Sequence, residues 1–266
     1  MAIDPEQPTV GGLTVAIIAC DEADRIGEAI ASAAFADEVL VVDGGSRDHT
    51  VAVARALGAR VVSADWPGHV AQKQRATDLA THDWVFALDA DERIPEALGR
   101  QARAAVDNPG GAAGFTVPRR TWWLGAPIEH GAWWPDRRVR LFDRRRGWWG
   151  GEDPHDHVVL GGPSGALSVP LEHHAYRDLG DHLSTIARYA RIQADGLQRR
   201  GVQARWWDWS LRPVMHFLKA LVLKGGWRDG VRGMCIAWLG AAHVALKWGL
   251  VALGSSASGA ETGEGW

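Results

Sequence analysis

The stretch that decides the fold is Trp84-Val85-Phe86-Ala87-Leu88-Asp89-Ala90-Asp91-Glu92, in which a short apolar run ends abruptly in carboxylates. The apolar run predicts a buried strand, and in an open α/β sheet ligands bind at the carboxyl ends of the strands. Asp89 and Asp91 are two residues apart, so they can face one site across a turn. Two carboxylates suit a divalent cation that takes its other ligands from water and phosphates. The same pair could instead cap the following helix.

Predicted strands and helices alternate along the chain up to residue 106. This alternation, with short connections, is typical of an α/β domain with a mostly parallel sheet. Apolar runs predict strands at 13–19, 38–43, 60–63 and 84–89. Helical spacing of apolar residues predicts helices at 24–34, 51–57, 70–80 and 95–106.

Acidic residues follow three of these predicted strands. Glu22 comes after the first strand, Asp43 ends the second, and Asp89 and Asp91 follow the fourth. Because the carboxyl ends of parallel strands meet at one edge of a sheet, we expect these side chains to surround one site. Asp43 has an alternative role as a cap of the next helix.

The regular alternation of predicted strands and helices ends near residue 107. Residues 115–118 and 137–142 predict further strands, and the Gly/Pro-punctuated segment 158–170 also favours β structure. Between them lies Gly150-Gly151-Glu152-Asp153-Pro154-His155-Asp156-His157, a polar loop dense in titratable groups. Its histidines are better explained as loop residues than as metal ligands.

The C-terminal third predicts helices, beginning with residues 176–197. The basic segment 205–224 carries apolar residues on one face, a pattern that fits an anionic membrane surface. These residues are Trp207, Leu211, Val214, Leu218 and Leu221. The apolar run 234–253 approaches the length needed to cross a bilayer, about 20 residues. His243 and Lys247 within it favour an interfacial or packed helix.

Composition narrows the possible classes of protein. The net charge of −3 over 266 residues gives no reason to expect nucleic acid as a partner. Two distant cysteines, Cys20 and Cys235, favour a reducing compartment, and the N-terminus lacks the layout of a signal peptide. We therefore expect a cytoplasmic protein, peripheral on the inner face of the cell membrane. The expected divisions are a flexible N-terminus (1–12), two halves of an α/β domain (13–106 and 107–175), a helical extension (176–253) and a disordered tail (254–266).

Several motifs in order resemble the family 2 inverting glycosyltransferases, whose fold is called GT-A. Val41 to Thr50 is similar to the V-D-x-G-S-x-D-x-T pattern of that family, and Ala71-Gln72-Lys73 to its A-x-K-N region. Leu88 to Glu92 is similar to its D-x-D motif. Later stretches look like the bacterial lipopolysaccharide core glucosyltransferase branch, and the resemblance covers roughly residues 13 to 250. These stretches are Arg140-Leu141-Phe142, Pro154-His155-Asp156, His174-Ala175-Tyr176, Arg188-Tyr189-Ala190 and Gly225 to Gly230.

Two positions depart from the pattern of the family. Cys20-Asp21 stands where the family has Tyr-Asn, so an aromatic residue that stacks on the nucleobase is missing. The branch usually has His-Glu where this chain has His155-Asp156, so the carboxylate is kept on a shorter side chain.

The resemblance implies the roles of the site residues. Asp91 with Asp89 would hold Mg²⁺ or Mn²⁺ at the donor diphosphate. For the donor itself, the implied contacts are Asp43 at the nucleobase and Glu22 near the ribose, while Lys73 would help to hold the donor. Arg140 would meet either the diphosphate or a charged acceptor.

The base that removes the acceptor proton would be a carboxylate of the polar loop. Asp156 is the first candidate and Asp153 the second, while Glu152 or a merely structural role for Asp156 stays open.

The function implied by the resemblance is metal-dependent transfer of a sugar, such as glucose from a UDP-sugar, with inversion. The acceptor would be a lipid-linked or lipopolysaccharide-type glycan at an anionic membrane surface, in bacterial envelope glycan synthesis. Two alternatives are an inactive membrane-associated scaffold and a sugar nucleotidyltransferase. The second would need a Gly-rich basic loop near the N-terminus, which residues 19–26 do not supply.

Overall fold

The computed structural model describes residues 11–153 and 155–254. The predicted flexible N-terminus at 1–12 and the predicted disordered tail at 254–266 therefore lie almost entirely outside the described residues.

The chain forms two compact units, which divide it differently from the sequence-based expectation. The two halves expected at 13–106 and 107–175 together form one unit. Residues 122–134 are the exception, because this excursion of the chain belongs to the unit of the C-terminal helices. The sheet unit comprises Met1–Thr121 and Pro135–Ala175, and the helical unit comprises Trp122–Trp134 and Tyr176–Trp266.

The first part of the sheet unit alternates strands and helices as predicted. Strands β1 to β4 are parallel, in the order β3-β2-β1-β4, and helix ends differ from the predicted ones by up to two residues. In chain order the elements are β1 (Leu13–Ala19), α1 (Ile26–Ser32), β2 (Glu38–Asp43), α2 (Thr50–Ala56), β3 (Arg60–Ser63), α3 (His69–Leu79), β4 (Trp84–Asp89), β5 (Glu92–Arg93) and α4 (Glu96–Asp107).

The register of the central strands brings the acidic strand ends together. Ala19 at the end of β1 pairs with Asp43 of β2, and its neighbour Ile18 pairs with Asp89 of β4. The carboxyl ends of β2 and β4 therefore flank the end of β1, as the parallel arrangement predicts.

Beyond β4 the sheet becomes mixed. It continues in the order β4-β8-β6-β12-β5, with β8 antiparallel to both neighbours, while β9 and β10 form a separate hairpin. The mostly parallel arrangement thus holds for the first four strands. The further strands are β6 (Gly114–Trp123), β7 (Ala126–Pro127), β8 (Asp136–Asp143), β9 (Gly147–Gly150), β10 (His157–Leu160), β11 (Ser164–Ala166) and β12 (Leu171–His173).

A bulge interrupts the pairing of β6 with β8. Phe115 pairs with Leu141, and the next residue, Thr116, pairs with Val139, so Arg140 is the extra residue of the ladder. Bulges redirect a side chain and occur frequently beside functional sites.

The core of the sheet unit lies on both faces of the sheet, which explains why β1 is apolar at every position except Thr14. Val15 and Ile17 are fully buried in one cluster with Phe86, and Ala16 and Ile18 belong to a second cluster on the other face. A strand covered on both faces reads as a nearly continuous apolar run, and the buried Thr14 donates its hydroxyl to Glu38 at 2.7 Å.

The helical unit has its own small cores. Trp123 and Ile128 from the excursion at 122–134 pack with Ile236, which is why this excursion belongs to the unit. The elements are α5 (Leu179–Arg199), α6 (Trp206–Leu218) and α7 (Gly230–Leu253), with short helical turns at Gly131–Trp133, Lys219–Leu223 and Gly226–Asp229.

Much of the apolar surface of the helical unit is exposed. The predicted apolar face of α6 is open to solvent: Leu211 and Val214 are each 53% exposed, and Leu218 is 44% exposed. The segment Gly226–Leu253 has the length and composition of a membrane span, with a mean hydropathy of 1.5 and only 28% of the residues in its window buried. The predicted apolar face of α6 therefore exists, and the other described residues leave it exposed to solvent.

His182 is expected to make the helical unit sensitive to acid. Its Nδ1 accepts a hydrogen bond of 3.1 Å from the indole N–H of Trp123, and burial lowers its pKa to about 4. The neutral ring therefore stabilises the fold fully above pH 6.5, and this contribution, up to about 3 kcal/mol, is lost as the pH falls towards 4. His182→Gln keeps an acceptor without a titratable proton. Urea unfolding of both proteins between pH 7 and 4 should show a steeper loss in the wild type, and parallel profiles would contradict this assignment.

Candidate active site

Asp43 holds the turn that follows β2. Its carboxylate is buried and accepts backbone N–H groups from Gly45, at 3.1 Å, and from Ser46, at 3.2 Å. These bonds lie within the loop, and α2 begins at Thr50 with no side-chain cap from Asp43, so the alternative role as a cap of the next helix is not found and Asp43 instead fixes the loop at the edge of the sheet. A carboxylate so held keeps a constant position toward anything bound at that edge.

The loop after β1 departs from the family pattern at Asp21, and the structure shows what this residue does. Asp21 has a φ of 56°, a left-handed conformation that aspartate tolerates better than most residues. Its carboxylate accepts the backbone N–H of Arg47 at 2.7 Å, and its own N–H donates to the hydroxyl of Ser46 at 2.9 Å. Asp21 thus ties the loops after β1 and β2 together. Burial and adjacent carboxylates raise the pKa of the neighbouring Cys20 thiol, which disfavours the reactive thiolate.

Glu22 forms a close pair with Arg25 at the start of α1. Both carboxylate oxygens accept from this guanidinium, at 2.8 Å from Nε and 2.8 Å from NH2. The same Arg25 reaches the carboxylate of Asp91, with 3.9 Å between NH1 and Oδ2. The end of β1 is therefore linked to the D-x-D turn through one arginine.

Lys73 joins two carboxylates that the sequence separates widely. Its ammonium lies 3.0 Å from Oδ1 of Asp89 and 2.8 Å from Oδ2 of Asp156, and the lysine is 8% exposed. Arg140 also donates to Asp89, at 3.0 Å. Burial alone would raise the pKa of Asp89, but these two cations hold it well below its ordinary value. Asp89 is thus a charged anchor held between two cations.

Glu92 is the buried end of this cluster, and the sequence interpretation did not single it out. Its side chain is fully buried and accepts a short hydrogen bond from Arg140, while its other oxygen accepts the backbone N–H of Asp89 at 3.0 Å. Burial raises the pKa of Glu92, although Arg140 opposes this shift. The bulge in β8 delivers Arg140 to both acids, so backbone irregularity and charge pairing coincide.

Asp91 faces a histidine that sequence reasoning also missed. Nε2 of His173, at the end of β12, lies 3.4 Å from Oδ2 of Asp91. Burial alone would raise the pKa of Asp91, but the nearby His173 outweighs this effect. The pKa of Asp91 is therefore lower than that of an ordinary aspartate. No sequence pattern marks His173, because it precedes the matched triplet His174-Ala175-Tyr176 and only the pairing of β12 with β5 and β6 brings it to the edge.

The side chains of Asp91 and His173, which we call the metal corner, fit a divalent cation that has few protein ligands. A carboxylate suits Mg²⁺ and Mn²⁺, and an imidazole is the commonest metal ligand among side chains. Asp89, which already neutralises Lys73 and Arg140, is less suited to the role of ligand. Within residues 11–153 and 155–254 no group of three or more His, Cys, Asp or Glu could enclose a metal. Such a cation would therefore take its remaining ligands from substrate oxygens and water.

The two candidate bases lie in different surroundings. Asp156 lines a cavity of about 410 Å³ together with Lys73 and Asp89. Asp153 instead accepts the backbone N–H groups of His69 and Val70, each at 2.9 Å, at the first turn of α3. The carboxylate of Asp153 therefore stabilises a helix end, which is a structural role.

Comparison with known proteins agrees with this geometry. The model of the family described as "Glycosyl transferase family 2" matches residues 14–157, which include the D-x-D turn, Lys73 and Asp156. The chain belongs to glycosyltransferase family 2.

Relatives of this family extend the similarity to most of the chain. The lipopolysaccharide core biosynthesis glycosyltransferase LpsC of Rhizobium meliloti (strain 1021) is 27% identical over 241 residues, covering 88% of this chain and 89% of that protein. The predicted resemblance to the lipopolysaccharide core branch is thereby confirmed. An uncharacterized glycosyltransferase of Rickettsia felis is 47% identical over 83 residues, which are 31% of this chain and 29% of that protein.

A solved structure confirms the predicted GT-A architecture. The mannosyltransferase PcManGT from Pyrobaculum calidifontis, in complex with GDP-Man and Mn²⁺, aligns with a TM-score of 0.56. The alignment covers 96% of this chain and 90% of that chain at 13% identity. At this identity the likeness shows the fold of this family 2 glycosyltransferase and nothing finer.

Proposed function

We propose that the protein transfers a sugar from a nucleotide-sugar to a lipid-linked or lipopolysaccharide-type acceptor, with inversion, in bacterial envelope glycan synthesis. The observation that carries this proposal is the pair of Asp91 and His173 beside the cluster of Lys73, Asp89 and Arg140. Two side chains that can bind a metal thus lie beside Lys73 and Arg140, at the carboxyl ends of the parallel strands. The similarity to LpsC supports the class of acceptor, and UDP-glucose is a reasonable first donor to test.

Asp91 and His173 would hold Mg²⁺ or Mn²⁺ in this proposal, with Asp89 nearby. The bound cation would supply Lewis-acid stabilisation of the diphosphate leaving group. On the donor, Asp43 would contact the nucleobase and Glu22 the ribose. Lys73 and Arg140 lie at Asp89, where they can neutralise phosphate oxygens.

Asp156 is the proposed base. Its Oδ2 accepts from Lys73, and among the described residues no hydrogen bond is made by its Oδ1, which leaves that oxygen for an acceptor hydroxyl. Its position in the cavity supports this role over Asp153, whose carboxylate caps α3.

Two substitutions separate the candidate bases. Asp156→Asn should lower kcat by about 10²-fold, because general-base catalysis typically contributes that much or more. Asp153→Ala should leave kcat within about twofold and cost about 1 kcal/mol of stability as a lost helix cap. Initial-rate kinetics and urea unfolding measure the two effects. The reverse pattern, with kcat lost in the Asp153 variant alone, would transfer the role of base to Asp153.

The proposed function is tested by a donor screen. Calorimetry with UDP-, GDP-, CMP- and dTDP-sugars, each with and without Mn²⁺, should show at least one donor whose binding requires the cation. Hydrolysis of the same donor, followed by release of the nucleoside diphosphate, should depend on Mn²⁺ as well. Failure to bind any donor would refute the proposal and favour an inactive scaffold.

We also propose that the protein works at the cytoplasmic face of the membrane, held by the helical unit. Leu223, Trp227 and Val231 lie in three successive helical segments and are 80%, 63% and 78% exposed. Lys224 and Arg228 stand between them in the sequence, so exposed apolar side chains alternate with basic residues. That combination suits an interface with anionic lipids.

Replacing exposed apolar side chains of this segment should release the protein from lipid. Trp227→Ser with Val231→Ser should weaken co-sedimentation with anionic vesicles by at least about tenfold. The reason is that burying one large apolar side chain contributes a free energy of about 1.5–3 kcal/mol. Leu57→Ser with Leu79→Ser, which removes two exposed leucines of the sheet unit, is the matched control and should bind normally. If the wild-type protein stays in the supernatant at low salt, the surface has another role.

A further inference from the structure

The cavity that holds Asp156 is lined by more cationic than acidic side chains. Five cationic side chains and three carboxylates line it. Asp89 pairs with Lys73 and Arg140, and Asp136 pairs with Arg119, at 2.7 Å, and Arg138, at 3.0 Å. Asp156 also pairs with Lys73, and the buried Glu92 pairs with Arg140, so five cations meet four carboxylates and the local balance is positive by one.

Arg137 and Arg138 are the cations of this cavity that remain open to a ligand. Both belong to the first half of β8 and both are exposed, with 49% of the Arg138 side chain accessible. Within residues 11–153 and 155–254 no carboxylate pairs with Arg137, whose guanidinium donates to the carbonyl of Leu167 at 3.4 Å. Arg138 holds one oxygen of Asp136 through Nε and has further N–H groups.

These arginines are distinct from the cations assigned to the donor. Lys73 and Arg140 line the same cavity but are buried and paired with Asp89, whereas Arg137 and Arg138 are exposed. The cavity also contains the proposed base, Asp156. A base must contact the acceptor hydroxyl, so the cavity around it receives the acceptor. The exposed guanidinium groups therefore face the acceptor side of the reaction.

We propose that Arg137 and Arg138 bind an anionic group, phosphate or carboxylate, on the sugar that accepts the transferred residue. This inference rests on the proposed function and names the chemistry of its acceptor. Guanidinium groups bind both anions through paired hydrogen bonds, and a partly enclosed cavity strengthens them relative to open water. A neutral acceptor sugar would not neutralise the positive charge of Arg137 and Arg138.

Binding of three monosaccharides that share one ring tests this inference. Methyl glucoside, glucose 6-phosphate and glucuronate are titrated calorimetrically into protein saturated with UDP and Mn²⁺. Glucose 6-phosphate, glucuronate or both should bind at least about tenfold more tightly than methyl glucoside, because charge-assisted hydrogen bonds add to the contacts of the shared ring. Comparison of the two anionic sugars distinguishes a phosphate site from a carboxylate site.

Arg137→Gln with Arg138→Gln should abolish the preference for anionic sugars while the affinity for UDP with Mn²⁺ stays within about twofold. Arg199→Gln with Arg200→Gln removes the same charge from exposed positions at the end of α5, and it should change neither affinity. Equal binding of charged and neutral sugars, absence of binding by all three at millimolar concentration, or a preference that survives the double substitution would overturn the inference. A parallel loss of UDP affinity would assign the arginines to the donor instead. Failure of the wild-type protein to bind any nucleotide would count against the proposed function itself.

Discussion

Replacing Asp91 with alanine is expected to lower kcat/KM for sugar transfer by about 10³-fold or more, because a metal that stabilises a leaving diphosphate is worth several kcal/mol. The side chain of Asp91 is 22% exposed and contacts His173 and Arg25 without filling the core, so the fold should survive. Initial-rate kinetics with the donor identified by the screen measures the effect, and circular dichroism checks the fold.

The role of Asp91 in holding the cation has its own readout. In the wild-type protein Mn²⁺ should strengthen binding of the nucleoside diphosphate, and in the Asp91→Ala variant this strengthening should vanish. Asp107→Ala, which removes an exposed carboxylate at the end of α4, is the control and should keep both activity and the Mn²⁺ effect. Full activity in the Asp91→Ala variant would refute a metal-dependent transferase centred on this turn.

Arg140→Met is expected to lower the free energy of unfolding by about 3–5 kcal/mol, the cost of leaving buried carboxylates without their cation. Arg140 is 4% exposed, Glu92 is fully buried, and Asp89 is bound to the same guanidinium. Urea unfolding of the sheet unit, followed by circular dichroism, measures the loss.

A second substitution distinguishes unpaired charge from lost packing. Arg140→Met combined with Glu92→Met replaces the buried pair by apolar side chains and should recover most of the lost stability, since such exchanges are often neutral or favourable. Arg100→Met, at a side chain that is 66% exposed and pairs with Glu96, which is 89% exposed, should change stability by less than about 1 kcal/mol. A small loss in the Arg140→Met variant would show that Glu92 takes up a proton and no longer needs its partner.

The alternation of strands and helices could be predicted because it depends on neighbours along the chain. The largely apolar run of β1 predicted a strand covered on both faces, the apolar runs of β2 and β4 predicted strands, and these three strands are neighbours in the sheet. Convergence of the acidic strand ends followed from the parallel arrangement and was confirmed by the pairing of β1 with β2 and β4.

The charge partners of the site could not be predicted in the same way. The pairing of Lys73 with Asp156 joins residues 83 positions apart, and that of Arg140 with Glu92 spans 48. The family resemblance ranked Asp156 above Asp153, but both are acids of one polar loop and their spacing alone does not separate them. Only the approach of α3 to that loop makes one of them a helix cap.

The sequence by itself determined the α/β architecture, the D-x-D turn at a strand end and the family resemblance, because each is written in the order and spacing of nearby residues. The tertiary structure alone decided that His173 meets Asp91, that Glu92 anchors Arg140 through a bulge, and that residues 122–134 pack with the C-terminal helices. These features depend on contacts between elements that are distant in the chain. Local periodicity carries no information about such contacts, and the free energy of the packed fold selects them.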